Sequence, residues 1–243
     1  VLSATLYAEL KQGRRALPVG GGPLVAFADP VYQTIPGAVA KADDSPLRRY
    51  RAGLPPLPGA REEVQALSAL YGRDARAYLG AAATEAQVEH LPVATRYLHF
   101  ACHALLDRHF PLDSALALAT SHDGHEGDNG LLQAWEIFER LRIDADLVTL
   151  SACGTGLGRD GGGEGLIGLT RAFQYAGARS VLASLWAVSD RSTAALMARF
   201  YTRLRAGSPK DVALAEAQRE LLRDGQFSHP YSWAAFELNG DWR

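Results

Sequence analysis

Five short runs along the chain are nearly free of exposed-type residues and predict strands: PLVAFADP (23–30), RYLHFACH (96–103), SALALA (114–119), LVTLSAC (147–153) and SVLASLWAV (180–188). Most are continuous rather than alternating in hydrophobicity, the pattern of strands covered on both faces, as in parallel sheets. Between them the apolar residues fall into a helical period. REEVQALSALYG aligns Val64, Leu67 and Tyr71, and EGLIGLTRAFQYAG aligns Leu166, Leu169 and Phe173 before stopping at Gly177. Alternating strands and helices predict an α/β fold, a three-layer α/β/α sandwich around a mostly parallel sheet.

Helix punctuation agrees with this division. TEAQVEHL opens with a capping-box pair, Thr84 and Gln87. Ser208 and Pro209, followed by Asp211, predict the cap, first turn and dipole-matching acid of the last long helix. Residues 31–60 interrupt the pattern with a proline-rich polar run, read as a mobile insert or a binding loop. Residues 1–22 read as a lead-in from a missing upstream region, since the chain begins with Val1, and residues 23–243 as one folded domain.

Composition narrows the functional classes. A net charge of −2 gives no general attraction to nucleic acid or anionic membrane. The cluster Lys41, Arg48, Arg49 and Arg51 is too sparse to change that, so neither partner is expected. No signal peptide and no membrane-length apolar run occurs, and the two cysteines, Cys102 and Cys153, suit a reducing, cytoplasmic setting.

The candidate chemistry lies at strand ends, where open α/β sheets bind ligands. Cys153 ends one predicted strand and His103 another, 50 positions earlier, an order and spacing found in caspases. A thiolate can attack a carbonyl while the imidazole moves protons to and from the thiol and the leaving amine. Either residue alone is more simply core or surface; their joint placement, with a glycine loop behind the thiol, favours a dyad. Cys102 points to the opposite strand face and reads as core.

The glycines invite other readings. Gly156, Gly158 and Gly161, and again Gly163, Gly165 and Gly168, match G-x-G-x-x-G, and Asp190 follows about 20 residues on, where a dinucleotide site places its acid. A long loop separates the second triplet from its strand, and no Lys-Ser or Lys-Thr follows for a P-loop. A dinucleotide-binding oxidoreductase is therefore the weaker alternative. The histidines do not pair with cysteine at zinc-site spacing. No cofactor or metal is expected. The loop from Gly154 to Gly165 suits close approach of a substrate backbone, or is a plain connector.

HFACHALLD, FPLDSALALA, LVTLSACGTGLG, GEGLIGLTRAFQYAGARSVLASLWAVSD and HPYSWAAFELNGDW resemble successive motifs of the CHAT domain, with LPPLPGAREEVQAL similar to its lead-in helix. This caspase-like module often follows tetratricopeptide repeats. The resemblance runs from about residue 23 to 243. It implies the fold shared by caspases, separase and gingipain, and a cysteine endopeptidase with His103 as base and acid and Cys153 as nucleophile. The backbone amides of residue 104 and Cys153 would bind the oxyanion; Ala104 stands where the family usually has glycine, which keeps the N–H but crowds the substrate. A protein substrate and an upstream repeat or sensor region are the implied partners. A non-catalytic scaffold of the same fold is the alternative.

Three residues are candidates for the substrate pocket. Trp186 would form a wall, and Asp190 would pair with a basic P1 side chain, or act as the N-cap of the helix beginning RSTAALMARF, or both. Glu164 is a further acid whose helix-start position the dipole explains by itself. Asp107 and Asp113 lie near His103 in sequence but are not needed, because a backbone carbonyl can orient an imidazole. Trp135 in a helix and Trp233 in a strand read as packing residues.

Overall fold

The computed structural model describes residues 23–32, 53–91, 95–107, 109–120, 128–151, 163–186 and 188–243. The central sheet holds β1 (Leu24–Ala28), β2 (Ala75–Leu79), β3 (Tyr97–Ala101), β7 (Leu147–Leu150), β8 (Ser180–Ser184) and β9 (Phe236–Gly240). Its order is β2-β1-β3-β7-β8-β9, parallel throughout except for β9, which runs antiparallel to β8. A separate antiparallel sheet joins β4 (Ala104–Leu105), β5 (Ala115–Ala117) and β6 (Leu131–Gln133). The helices are α1 (Pro58–Tyr71), α2 (Glu85–Glu89), α3 (Ala134–Arg140), α4 (Gly163–Ala176), α5 (Asp190–Arg205), α6 (Lys210–Arg223) and α7 (Pro230–Trp233).

The predicted three layers are present, and the strand residues sort between them by parity. Leu24, Tyr97, Leu147 and Leu182 pack under α1, α5 and α6 with Leu67, Leu196, Phe200 and Leu221. Val25, Leu98, Phe100, Val148 and Leu150 pack on the other face with Leu169 and Phe173 of α4 and Ile137 of α3. Burial on both faces is what the continuous apolar runs require.

Several expectations are corrected. SALALA is not a strand of the main sheet but the middle of the small one, because β4 and β6 supply its edges. β2 and β9 escaped the sequence reading, since both are edge strands with exposed positions and lack an apolar run. Of the proline-rich run read at about residues 31–60, residues 33–52 lie outside the described residues, and α1 starts at Pro58. Ser208 does not cap α6; Pro209 holds the N-cap position with no side-chain bond. Trp233 ends the short helix α7 rather than lying in a strand. Thr84 does cap α2, accepting from the Gln87 amide, and α4 does stop at Gly177, whose φ of 123° suits glycine.

The second glycine triplet has a packing role. A side chain at Gly168 would stand 2.4 Å from the Pro111 carbonyl oxygen, and one at Gly165 would stand 2.8 Å from Ser114 Oγ. These glycines let α4 press against residues 106–114. Twelve residues separate the end of β7 from the second triplet, whereas a dinucleotide phosphate calls for a tight strand-to-helix turn.

Candidate active site

β1 and β3 are neighbours in the sheet, but the chain visits the edge strand β2 between them. The order reverses there, and this is the place where an open α/β sheet forms a crevice beyond its carboxyl ends. Asp29 follows β1 at this point, and Cys102 and His103 follow β3. β7 lies beside β3 in parallel register, pairing Tyr97 with Leu147 and Phe100 with Leu150, a constant offset of 50 positions. His103 comes three residues after Phe100, and Cys153 three residues after Leu150, in the sequence. Cys153, the first glycine triplet and the loop to Gly162 lie outside the described residues.

His103 is 4% exposed. Its Nε2 lies 3.0 Å from the Pro55 carbonyl oxygen, which can only accept, so Nε2 carries the ring proton. Nδ1 is then the basic nitrogen of the neutral ring, and it is buried with no partner among the described residues. Burial pushes the imidazole pKa below its ordinary value; the Pro55 carbonyl and the charge of Asp190 pull the other way and are outweighed. A base of this kind is neutral at pH 7. The Tyr32 ring tilts against the imidazole with centroids 5.4 Å apart, and its hydroxyl accepts the His103 amide at 3.5 Å. Ala104 begins β4 directly after His103 and is buried.

Cys102 is a different thiol. It sits in the apolar layer on the α4 side, and burial alone drives its pKa far above the ordinary range. Such a thiol stays protonated and inert.

Asp190 is not a cap. Ser189 is the N-cap of α5, and its side chain accepts the Ser192 amide at 3.3 Å. Asp190 is the first residue of the helix, and it packs on the first turn of α1 so closely that a side chain at Gly59 would stand 2.1 Å from its Cβ. This brings its charge into the neighbourhood of His103. Trp186 is half-buried and donates Nε1–H to the Tyr231 carbonyl at 3.1 Å. Glu164 is exposed on the first turn of α4. Asp107 accepts the amides of His109 and Phe110, and Asp113 lies in the turn Pro111–Asp113.

Beneath the sheet runs a buried polar chain that the sequence did not announce. Ser151, immediately after β7, donates to Glu63 Oε2 at 3.2 Å, and Glu63 Oε1 lies 2.8 Å from His99 Nε2. His99 Nδ1 meets the Tyr201 hydroxyl at 3.1 Å, and that hydroxyl meets Thr149 Oγ1 at 2.8 Å. It ties α1, β3, β7 and α5 together just below the strand ends that carry the candidate site.

The CHAT domain profile matches residues 2–241 of the chain. Tetratricopeptide repeat protein 28 of mouse is 29% identical over 219 residues, and its human counterpart 30% identical over 217; each match covers 76% of this chain. The chain corresponds to only 9% and 8% of those proteins. Among solved structures, the Arg-specific cysteine proteinase gingipain R superposes with a TM-score of 0.52 at 9% identity, covering 91% of this chain and 46% of that one. This likeness is one of fold: the six-stranded, mostly parallel sheet is caspase-like. Among the described residues no helix is long and apolar enough to cross a membrane.

Proposed function

The chain belongs to the CHAT domain family, and from that premise we propose that it is a cysteine endopeptidase using a Cys153–His103 dyad. One observation carries the proposal: His103 and Cys153 follow adjacent parallel strands at the same sequence distance, in a register whose offset equals their separation. Cys153 also shares the odd parity of Leu147, Thr149 and Ser151, and the last two of these belong to the polar chain on the α1 side of β7. Thiol and imidazole would then meet at the crevice beside the Pro55 carbonyl.

The chemistry follows from the ring's tautomer. Nδ1 of His103, unprotonated, takes the thiol proton; the thiolate attacks the scissile carbonyl; and the imidazolium returns the proton to the leaving amine. Water then hydrolyses the acyl-enzyme with the same ring as base. The amides of Ala104 and Cys153 would hold the oxyanion. Trp186 and Asp190 would shape the pocket for the first side chain, with Asp190 favouring a basic one, and Glu164 as the second candidate acid. The relatives carry tetratricopeptide repeats in their name, and a repeat region upstream of this domain would supply regulation or substrate.

The test is cleavage of a diverse peptide library by the wild-type chain, with Cys153→Ala and His103→Asn alongside, products being mapped by mass spectrometry. Cleavage that both variants abolish supports the proposal. Cleavage that survives Cys153→Ala overturns it, and no cleavage with or without the upstream region favours a scaffold.

A further inference from the structure

We propose that Asp29 is a positioning residue for His103: its carboxylate fixes the segment Pro55–Leu57, so that the Pro55 carbonyl holds Nε2 and leaves Nδ1 as the basic nitrogen. The proposal rests on His103 being the catalytic base, but its geometry stands on described residues alone.

Asp29 leaves β1 at the switch point with φ of 45°, the single positive φ outside glycine among the described residues. Aspartate tolerates this left-handed conformation better than most residues, though at some cost. Its amide is held by the Ala101 carbonyl at the end of β3. The backbone therefore turns the carboxylate across the crevice, where the side chain is only 13% exposed and both oxygens are used. Oδ1 accepts the Leu57 amide at 2.8 Å, and Oδ2 accepts Arg61 Nε at 2.9 Å.

The proline content explains why that one hydrogen bond matters. In Pro55-Pro56-Leu57-Pro58 three of the four residues have no amide N–H, so Leu57 holds the segment's one backbone donor. Asp29 takes it. Leu57 is also the N-cap of α1, with no side-chain cap and no acid in the first turn, so the negative groups at this helix start come from other elements: Asp29 on the Leu57 amide and Asp190 packed beside Gly59. Two residues upstream of the fixed amide, the Pro55 carbonyl meets His103 Nε2. Carboxylate, segment and ring form one line from β1 to β3.

The test reads the ring directly and needs no substrate. The chain is labelled with ¹⁵N-histidine, and the His103 signals are assigned by their loss in His103→Asn. In the wild type, Nε2 is protonated and Nδ1 is not. Asp29→Gly relieves the positive φ while deleting the carboxylate, so loss of its effect is not confused with strain. It should free the ring to exchange tautomers, seen as averaging of the two nitrogen shifts. Asp29→Asn keeps an oxygen for the Leu57 amide and should retain the wild-type pattern. A thermal melt of each variant checks the fold. In the peptide assay, Asp29→Gly should lower kcat by roughly tenfold or more with KM little changed, as loss of ordered proton transfer does. An Asp29→Gly ring still fixed with its proton on Nε2 overturns the proposal, as does an Asp29→Asn ring that averages like Asp29→Gly. Neither result depends on whether the chain cleaves peptides.

Discussion

Ser189 and Asp190 stand side by side and divide the work that the sequence left open for Asp190 alone. Ser189 caps α5, so Ser189→Ala should destabilise the fold by about 1 kcal/mol, read as a lowered denaturation midpoint at unchanged slope. Asp190 is thereby left free of the cap, and its charge favours the protonated His103 ring, though burial outweighs it. Asp190→Asn should leave the melt nearly unchanged and remove a preference for Arg or Lys at the cleaved position, since a desolvated carboxylate–guanidinium pair is strong and directional. A library profile in which the variant keeps its basic preference points to Glu164 instead. The placing of His103 just past β3 was legible in the sequence, because the strand shows as an apolar run. The role of Pro55 was not: it acts through a backbone carbonyl, and its proline-rich surroundings look structureless until Asp29 is seen to hold them.

Two buried polar clusters act between elements. Tyr201→Phe removes the hydroxyl that joins His99 to Thr149, leaving both buried without that partner. The expected cost is about 1–3 kcal/mol, large for the loss of one oxygen and measurable by urea denaturation. A change below a few tenths of that range would mean the chain is not satisfied through Tyr201. On the other face Glu85 accepts the amides of Asn129 and Leu131 at the entry to β6. Burial first, then the neighbouring Glu136 and Asp128, raise its pKa from 4.5 to about 8. Between those values the folded chain binds more protons than the unfolded one, so stability falls as pH rises across this window. Glu85→Gln keeps an acceptor oxygen and removes the charge. Its melting temperature should exceed the wild type's at pH 8 by roughly 5 °C, and the gap should close towards pH 5. Parallel curves for the two chains would contradict this. Neither cluster was legible beforehand, because Glu63, Glu85 and Tyr201 read as ordinary helix residues until their partners arrive from distant strands.

For the molecule as a whole, the sequence pattern reached the architecture but not its edges. Strands with two buried faces announce themselves as apolar runs, and four of the six in the main sheet do so. β2 and β9 have one open edge and carry polar residues accordingly. The glycine triplet at Gly163–Gly168 imitated a phosphate loop because close packing and phosphate binding both call for a missing side chain; the neighbour, here the Pro111 carbonyl, decides which. In the proposed mechanism His103 activates one thiol of the two, Cys153. This is tested most directly by alkylating the folded chain with iodoacetamide near neutral pH and mapping adducts at both cysteines, in wild type and in His103→Asn. Labelling is expected at Cys153 and not at the buried Cys102, with the Cys153 rate falling roughly tenfold in the variant as its thiolate fraction drops. Labelling that favours Cys102, or a Cys153 rate indifferent to His103, would contradict it.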